Sequence, residues 1–266
     1  TYTIEALMPD GQALQCGTTH YLGTGFPECF NIRFLDKDNQ LKYPHYTSWG
    51  VSTRLLGALI MVHGDDEGLV LPPRVAPIQS VIIPIRMETS AEVRQACHTL
   101  CHALEEKGVR VLLDDSDKTP GWKFSQYEMK GIPLRIEIGP KDLEKGVLSL
   151  SIRYSGEKRQ IPLERAAEVI PDLLDEIQQG MYKKAYDYLH SHIYPCTTYE
   201  EVKDVLSSHK GFCKMMTTGE SEDEEKMKAE FSATPRVIPF DEKKFADTDP
   251  LSGKECDQVI YYARAY

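Results

Sequence analysis

Apolar positions change period several times along the chain, and each change predicts an element. From Ser52 to His63, Leu55, Leu56, Leu59 and Val62 recur at three- and four-residue steps, the spacing of a helix face. Ser80–Ile85 is an unbroken apolar run and reads as a buried strand. Over Ser90–Lys107 the stripe Val93, Ala96, Cys97, Leu100, Leu104 returns to helical spacing, and Gly108 suits the C-terminal cap. Strands are expected over 109–114, 132–138 and 147–153, with a short helix over 124–130. Ala166, Val169, Ile170, Leu173, Leu174 and Ile177 make 165–178 amphipathic, and a long helix should run from Ile170 toward His192, bent or interrupted near Gly180. A further helix over 198–208 has Thr197 or Thr198 as its N-cap, the acidic run Glu220–Glu225 is a solvated turn or a helix start, 241–256 is a loop, and Gln258–Tyr262 is strand-like.

These elements fall into three parts. Residues 1–76 are rich in Gly, Thr and aromatics, with strands expected at Thr1–Leu7 and Asn31–Leu35. A turn over Gly64–Gly68 leads to Pro72, Pro73 and Pro77, which mark a boundary. Over 77–180 strands alternate with helices, which implies an α/β domain with a mixed sheet, and a smaller part covers 181–266. A chain of 266 residues accommodates two or three such domains, and no internal repeat is present.

Composition narrows the setting. Hydrophobic residues make up 41% of the chain, enough for real cores, yet no apolar run approaches the roughly 20 residues of a membrane span. A net charge of -10 argues against a non-specific nucleic-acid binder, though not against a protein that reads a folded RNA through a few local contacts. Seven scattered cysteines without a CxxC pair look like neither a disulfide framework nor a complete zinc site, and point to the reducing cytoplasm. The first residues carry no basic leader and no initiator Met, so the start of the protein is expected upstream.

Candidate chemistry sits in a few stretches. Gln15-Cys16-Gly17-Thr18-Thr19-His20 combines small hydroxyl residues with a glycine that permits close backbone approach; a self-satisfied loop would read the same. Thr47-Ser48-Trp49-Gly50-Val51-Ser52-Thr53-Arg54 opens a helix, where a phosphate is favoured and Arg54 could lie across it, although a capped helix with a surface arginine also fits. Asp65-Asp66-Glu67 suits a divalent metal or, more simply, a solvated turn, and Gly23-Thr24-Gly25 lacks the lysine of a phosphate-binding P-loop. Thr119–Asp142 mixes aromatics for stacking with Glu and Arg for base edges, as reading an unstacked RNA loop requires. Cys97, His98, Cys101 and His102 invite a metal reading, but Cys97 continues the apolar stripe and a core thiol is the simpler account.

Read together, IEALMPDGQALQCGTTHYLG at 4–23 and SWGVSTRLLGALIMVHGDDEGLVLPPRVAP at 48–77 resemble prolyl-tRNA synthetases of the archaeal and eukaryotic type, the second stretch being that family's class II motif 3. The resemblance implies an α/β chain: the end of a class II antiparallel-sheet catalytic domain (1–76), an anticodon-binding domain (77–180) and a small α+β C-terminal domain (181–266). It implies ATP contacts at Gln15, Thr18, Ser52, Thr53 and Arg54, a proline pocket shaped by His20, Ser48, Trp49 and Gly50, and catalytic roles for Arg54 and His20. In the second domain Phe124 would stack, Glu128 and Arg135 would read bases, and Lys141 would touch backbone or base. The implied substrates are proline, ATP with Mg²⁺ and tRNA(Pro), in a cytoplasmic homodimer without membrane contact.

Two departures shape the expectation. Motifs 1 and 2 of the class are absent, so the chain should hold only part of an active site, be inactive alone and need the N-terminal half of the synthetase. The last domain resembles the family's C-terminal domain through Phe231–Phe240 and Ala263–Tyr266, but zinc-ligand positions appear as Thr218 and Asp223; only Cys256 survives, with Cys213 offset, so no structural zinc is expected. Tyr266 could reach toward the active site or simply pack. A truncated, non-catalytic tRNA-binding module and a scaffold paralogue are the competing readings.

Overall fold

Alternating side chains in Tyr2–Leu7 (β1) and Ala13–Gly23 (β2) build an antiparallel hairpin, closed where Met8 N–H donates to Gln12 O at 2.8 Å and Gly11 takes a φ of 78°. The computed structural model describes residues 1–208 and 210–266. A short helix α1 (Gly25–Cys29) and the two-residue strands β3 (Phe34–Leu35) and β4 (Leu41–Lys42) follow. The strand expected at Asn31–Leu35 thus shrinks to its last two residues, because Asn31 adopts a left-handed φ of 51° that no strand accommodates. Strand β5 (Tyr46–Val51) returns beside β2, giving the order β1-β2-β5, and helix α2 (Arg54–His63) starts three residues later. Met8, Leu14, Cys16 and Ala58 bury against one another beneath it.

The chain divides into two compact units, one of residues His63–Asp187 and one joining Thr1–Val62 to Tyr188–Tyr266. In the first, β6 (Ser80–Pro84), α3 (Ala91–Glu106), β7 (Val111–Leu113), α4 (Pro120–Met129), β8 (Leu134–Ile138), α5 (Pro140–Glu144), β9 (Val147–Ile152), β10 (Lys158–Pro162) and all but the last turn of α6 (Ala166–Ser191) follow in turn. The sheet order is β10-β9-β8-β6-β7, with β6 parallel to β7 and β8, and the other pairs antiparallel. Leu134, Ile136 and Ile138 face a core with Leu148, Leu150, Ile152, the stripe of α3 and the apolar side of α6. Each of these fully buried aliphatics contributes about 1.5–3 kcal/mol. On the opposite face Val81 and Ile83 meet Tyr127 and Ile132, which seats α4.

Helix α6 is unbroken through Gly180, against the expected interruption there. A Cβ there would lie 2.3 Å from Tyr154 Oη, so glycine admits a packed tyrosine rather than ending the helix. Helix α4 begins one turn before the expected Phe124, since Thr119 Oγ1 caps it and Pro120 occupies the first turn.

The remaining segment carries β11 (Ile193–Pro195), α7 (Tyr199–Ser207), β12 (Phe212–Thr217), α8 (Ser221–Phe231), β13 (Ala233–Val237) and β14 (Gln258–Arg264), in the sheet order β11-β12-β14-β13. Thr198 and Glu201 form a reciprocal capping box on α7. The acidic run proves to be a helix start, with Glu222, Asp223 and Glu224 at the positive end of α8. Cys213 and Met215 face a core with Val202, Met227 and Phe231, while Phe212 and Met216 face another that takes in Leu7 and Ala13. The two segments of this unit are further tied by an ion pair of Arg236 with Glu5 at 2.7 Å, with both side chains nearly buried, and by a parallel bridge between Ala13 and Ala265. Among the described residues no helix is long and apolar enough to cross a membrane.

Candidate functional site

Strands β2 and β5 bring most of the first set of expected residues together. Thr18 pairs with Gly50, Thr19 with Trp49 and His20 with Ser48. Opposed residues share a face and neighbours along a strand alternate, so Thr18, His20, Ser48 and Gly50 line one face. Trp49 belongs to the other face, with Tyr2 and Thr19, next to Ile4, Gly17 and Val51. There a cleft of about 160 Å³ is lined by Tyr2, Ile4, Gly17, Trp49 and Val51 among others, and Trp49 is 78% exposed. A bulge between Ile4 and Glu5 shifts the register from Gly17 to Gln15, an arrangement that re-aims side chains. His20 Nδ1 lies 2.9 Å from Thr1 Oγ1. Ser52, Thr53 and Arg54 form the exposed head of α2, where Ser52 Oγ accepts from Arg54 N at 3.3 Å. The last residue approaches the same strand, since Tyr266 N–H donates to Ala13 O at 3.0 Å.

The second set lies in the other unit. Phe124 and Glu128 stand four residues apart on α4 and so share its face, while Arg135 projects from β8 toward it. All three line a cleft of about 500 Å³, and the Arg135 guanidinium sits 4.1 Å from the Phe124 ring centroid. Arg135 Nε also donates to Glu137 Oε1 at 2.9 Å. Lys141 is exposed on α5 and is not among the residues lining the cleft.

Helix α4 is held in place by polar contacts that residue types alone did not announce. Lys123 Nζ is buried and donates to the carbonyls of Asp114 and Ser116, each at 2.8 Å, with the Asp114 carboxylate at 3.3 Å. Tyr127 Oη donates to Asp114 Oδ2 at 2.9 Å; burial first, then that carboxylate, push the Tyr127 phenol up to about 12. Burial alone would raise the Asp114 carboxyl, but hydrogen bonds from Ser116 and Tyr127 together with Lys123 hold it below its usual range. At the other end Arg153, whose side chain is 5% exposed, donates from Nε to Glu128 O at 3.0 Å and from its two Nη to Asp65 at 2.7 and 2.5 Å. The acidic turn 65–67 therefore anchors an arginine, and Gly68 and Gly131 let 68–71 run against the end of α4: Leu69 N donates to Met129 O at 3.0 Å and Leu71 N to Gly131 O at 3.1 Å. Arg153, Ser151 and Lys158 also line the cleft. Their signal was the β9–β10 hairpin, visible only once Lys158–Pro162 is recognised as a strand.

The remaining metal candidates are otherwise engaged. Cys97 is buried in the α3 core, where loss of hydration pushes its thiol up to about 12. Thr218 Oγ1 donates to Asp223 Oδ2 at 3.4 Å and Thr218 N to Asp249 Oδ2 at 3.2 Å, while Cys213 and Cys256 belong to different cores.

Residues 79–173 match the family model described as "Anticodon binding domain", and 199–266 match "Prolyl-tRNA synthetase, C-terminal". The chain is 47% identical over 266 residues to "Proline--tRNA ligase 2" of Bacillus cereus, and 47% identical over 266 residues to "Proline--tRNA ligase" of Lachnospira eligens. To "Proline--tRNA ligase" of Clostridium botulinum it is 48% identical over 269 residues. Each match takes in 100% of this chain but 55–56% of the relative, so the chain spans little more than half the length of the curated relatives it matches. With both domain models in order and this identity from end to end, the chain is similar throughout to the C-terminal region of prolyl-tRNA synthetases, an anticodon-binding domain followed by the synthetase C-terminal domain.

Proposed function

We propose that this chain supplies the motif 3 side of the active site and the anticodon reader of a proline–tRNA ligase, which activates proline with ATP and transfers it to tRNA(Pro). The observation that carries this is the cleft holding Phe124, Glu128 and Arg135 inside the segment that matches an anticodon-binding domain. Guanine offers N1 and N2 donors that suit the Glu128 carboxylate and O6 and N7 acceptors that suit the Arg135 guanidinium, with Phe124 as a stacking surface. Lys141, outside the cleft, is read as a contact to RNA backbone or base further along the loop.

In the first step the proline carboxylate attacks the α-phosphate in line and pyrophosphate leaves. The protein's share is positioning and charge stabilisation rather than covalent chemistry. Arg54 would hold the γ-phosphate side, with Gln15, Thr18, Ser52 and Thr53 around ATP. His20, Ser48 and Gly50 share the face with Thr18 and are read as the pocket for proline; Trp49, on the opposite face, would act on that pocket through the position of β5. Hydroxyls, an imidazole and a guanidinium suit phosphate oxygens rather than a divalent cation, so Mg²⁺ would enter with ATP, held by its phosphates and water.

The reading extends to the archaeal and eukaryotic type of the enzyme, to domains over 1–76, 77–180 and 181–266, and to a cytoplasmic homodimer completed by an N-terminal half. Its test is proline-dependent ATP–pyrophosphate exchange on the chain joined to the upstream part of the synthetase, with intact masses recorded on the same sample. Exchange with proline alone, lost in Arg54→Ala, supports it. No exchange with any amino acid, with tRNA binding kept, would make the chain a tRNA-binding module instead.

A further inference from the structure

Three cations line the 500 Å³ cleft, and two are already committed. Arg135 is stacked on Phe124 and bonded to Glu137, and Arg153 is buried with its fork on Asp65. The Lys158 side chain, exposed at the start of β10, makes no ion pair or hydrogen bond among the described residues. Register places it in one row with the base-reading arginine: Arg135 opposes Ser151 on β9, and Ser151 opposes Lys158 on β10. With strands about 4.8 Å apart, the Lys158 and Arg135 backbones lie about 10 Å apart on the same face. An ammonium on a flexible stem suits a phosphate as a point charge, where a guanidinium fork suits a base edge.

We propose that Lys158, with Ser151 beside it, is a phosphate site of this cleft that holds a backbone phosphodiester of the bound RNA while Arg135 and Glu128 read its bases. This rests on the anticodon reading above. The acidic groups lining the same cleft are Asp65 and Glu67, which face Arg153 at 2.5 and 3.9 Å, and Glu128.

The test titrates an anticodon stem–loop RNA bearing a proline anticodon, and a base-substituted version, against the full chain across a salt series. The proteins are wild type, Lys158→Gln, Lys158→Arg and Arg135→Ala. Releasing one counterion contributes a log–log salt slope of about 0.7, which is about five-fold in affinity near 0.1 M salt. Lys158→Gln should therefore weaken both RNAs about five-fold and flatten the slope by about 0.7, and Lys158→Arg should restore both. Arg135→Ala should instead erase the preference between the two RNAs. Lysine on an edge strand also guards against strand pairing, and a Lys158→Gln protein with unchanged affinity and slope would assign it that role and overturn the proposal. A changed base preference in Lys158→Gln would overturn the phosphate assignment in favour of base reading. If wild type binds neither RNA, the anticodon reading itself fails and the site falls with it.

Discussion

Arg153 offers a direct test of what positions helix α4. Arg153→Met keeps the buried apolar stem and deletes the fork that joins Glu128 O to the Asp65 carboxylate. The carbonyl near the end of α4 then loses a buried donor, which costs about 1–2 kcal/mol. Asp65 is 46% exposed, so water replaces much of its partner, and the screened pair adds about 0.5–1 kcal/mol. The expected loss is about 2 kcal/mol. The chain has two tryptophans, Trp49 and Trp122. In a Trp49→Phe background, fluorescence of Trp122 on α4 follows urea unfolding of this unit alone. The pH dependence separates the two contributions. Hydrogen bonding to Arg153 holds the Asp65 carboxyl below its usual value. A depressed carboxyl stabilises the fold above its unfolded pKa, about 3.9, and that stability is lost as pH falls through the lower folded value. The gap between wild type and Arg153→Met should be full near neutral pH and shrink to the carbonyl share at low pH. A loss under about 0.5 kcal/mol, or a gap wider in acid, would refute the reasoning.

Other outcomes follow from the same geometry. Gly180→Ala, which would favour an ordinary exposed helix by up to about 1 kcal/mol, should instead destabilise by about 1–3 kcal/mol because its Cβ meets Tyr154; in a Tyr154→Ala background the sign should reverse, as read from urea midpoints. Lys123→Met leaves the Asp114 carboxylate without its buried cation and should cost about 3 kcal/mol, whereas a change below about 1 kcal/mol would show that Ser116 and Tyr127 suffice. Arg135→Ala should lower affinity for the matching stem–loop by about 1–3 kcal/mol and leave a mismatched loop nearly unaffected in the same binding assay.

The elements that could be read from sequence were those whose neighbours are local. Periodicity located α2, α3 and the run beginning at Ala166, and the unbroken apolar stretch located β6. What escaped depended on partners distant in sequence. Gln15–His20 reads as a loop until β5 pairs with it, since Gly17 and consecutive threonines have no strand pattern of their own. Phe212–Thr217 is almost wholly buried between two cores, so it shows no alternation. Gly180 was legible as an exception but not as the seat of Tyr154. Phe124, Glu128 and Arg135 could be named through the resemblance of their segment to a known family; Ser151 and Lys158 joined them only through the register of β9 with β8 and β10. The division of Trp49 from His20 likewise follows from the pleat and not from proximity in the motif.

The joining of Thr1–Val62 to Tyr188–Tyr266 bears on how the polypeptide matures on the ribosome. Residues His63–Asp187 form a compact unit that is continuous in sequence and can close as soon as it emerges. The β1-β2-β5 sheet emerges before that unit, but Arg236, Ala265 and Tyr266, which tie it down, are made after it. At about 5–20 residues per second, the intervening 63–187 alone impose a wait of roughly 6–25 s. Throughout that interval Leu7 and Ala13 lack the core they finally enter, and strand β1 keeps an open edge. Nascent-chain capture by holdase chaperones should thus concentrate on the beginning of this segment, and synonymous slowing of translation within 63–187 should lengthen the period of exposure without altering the finished protein.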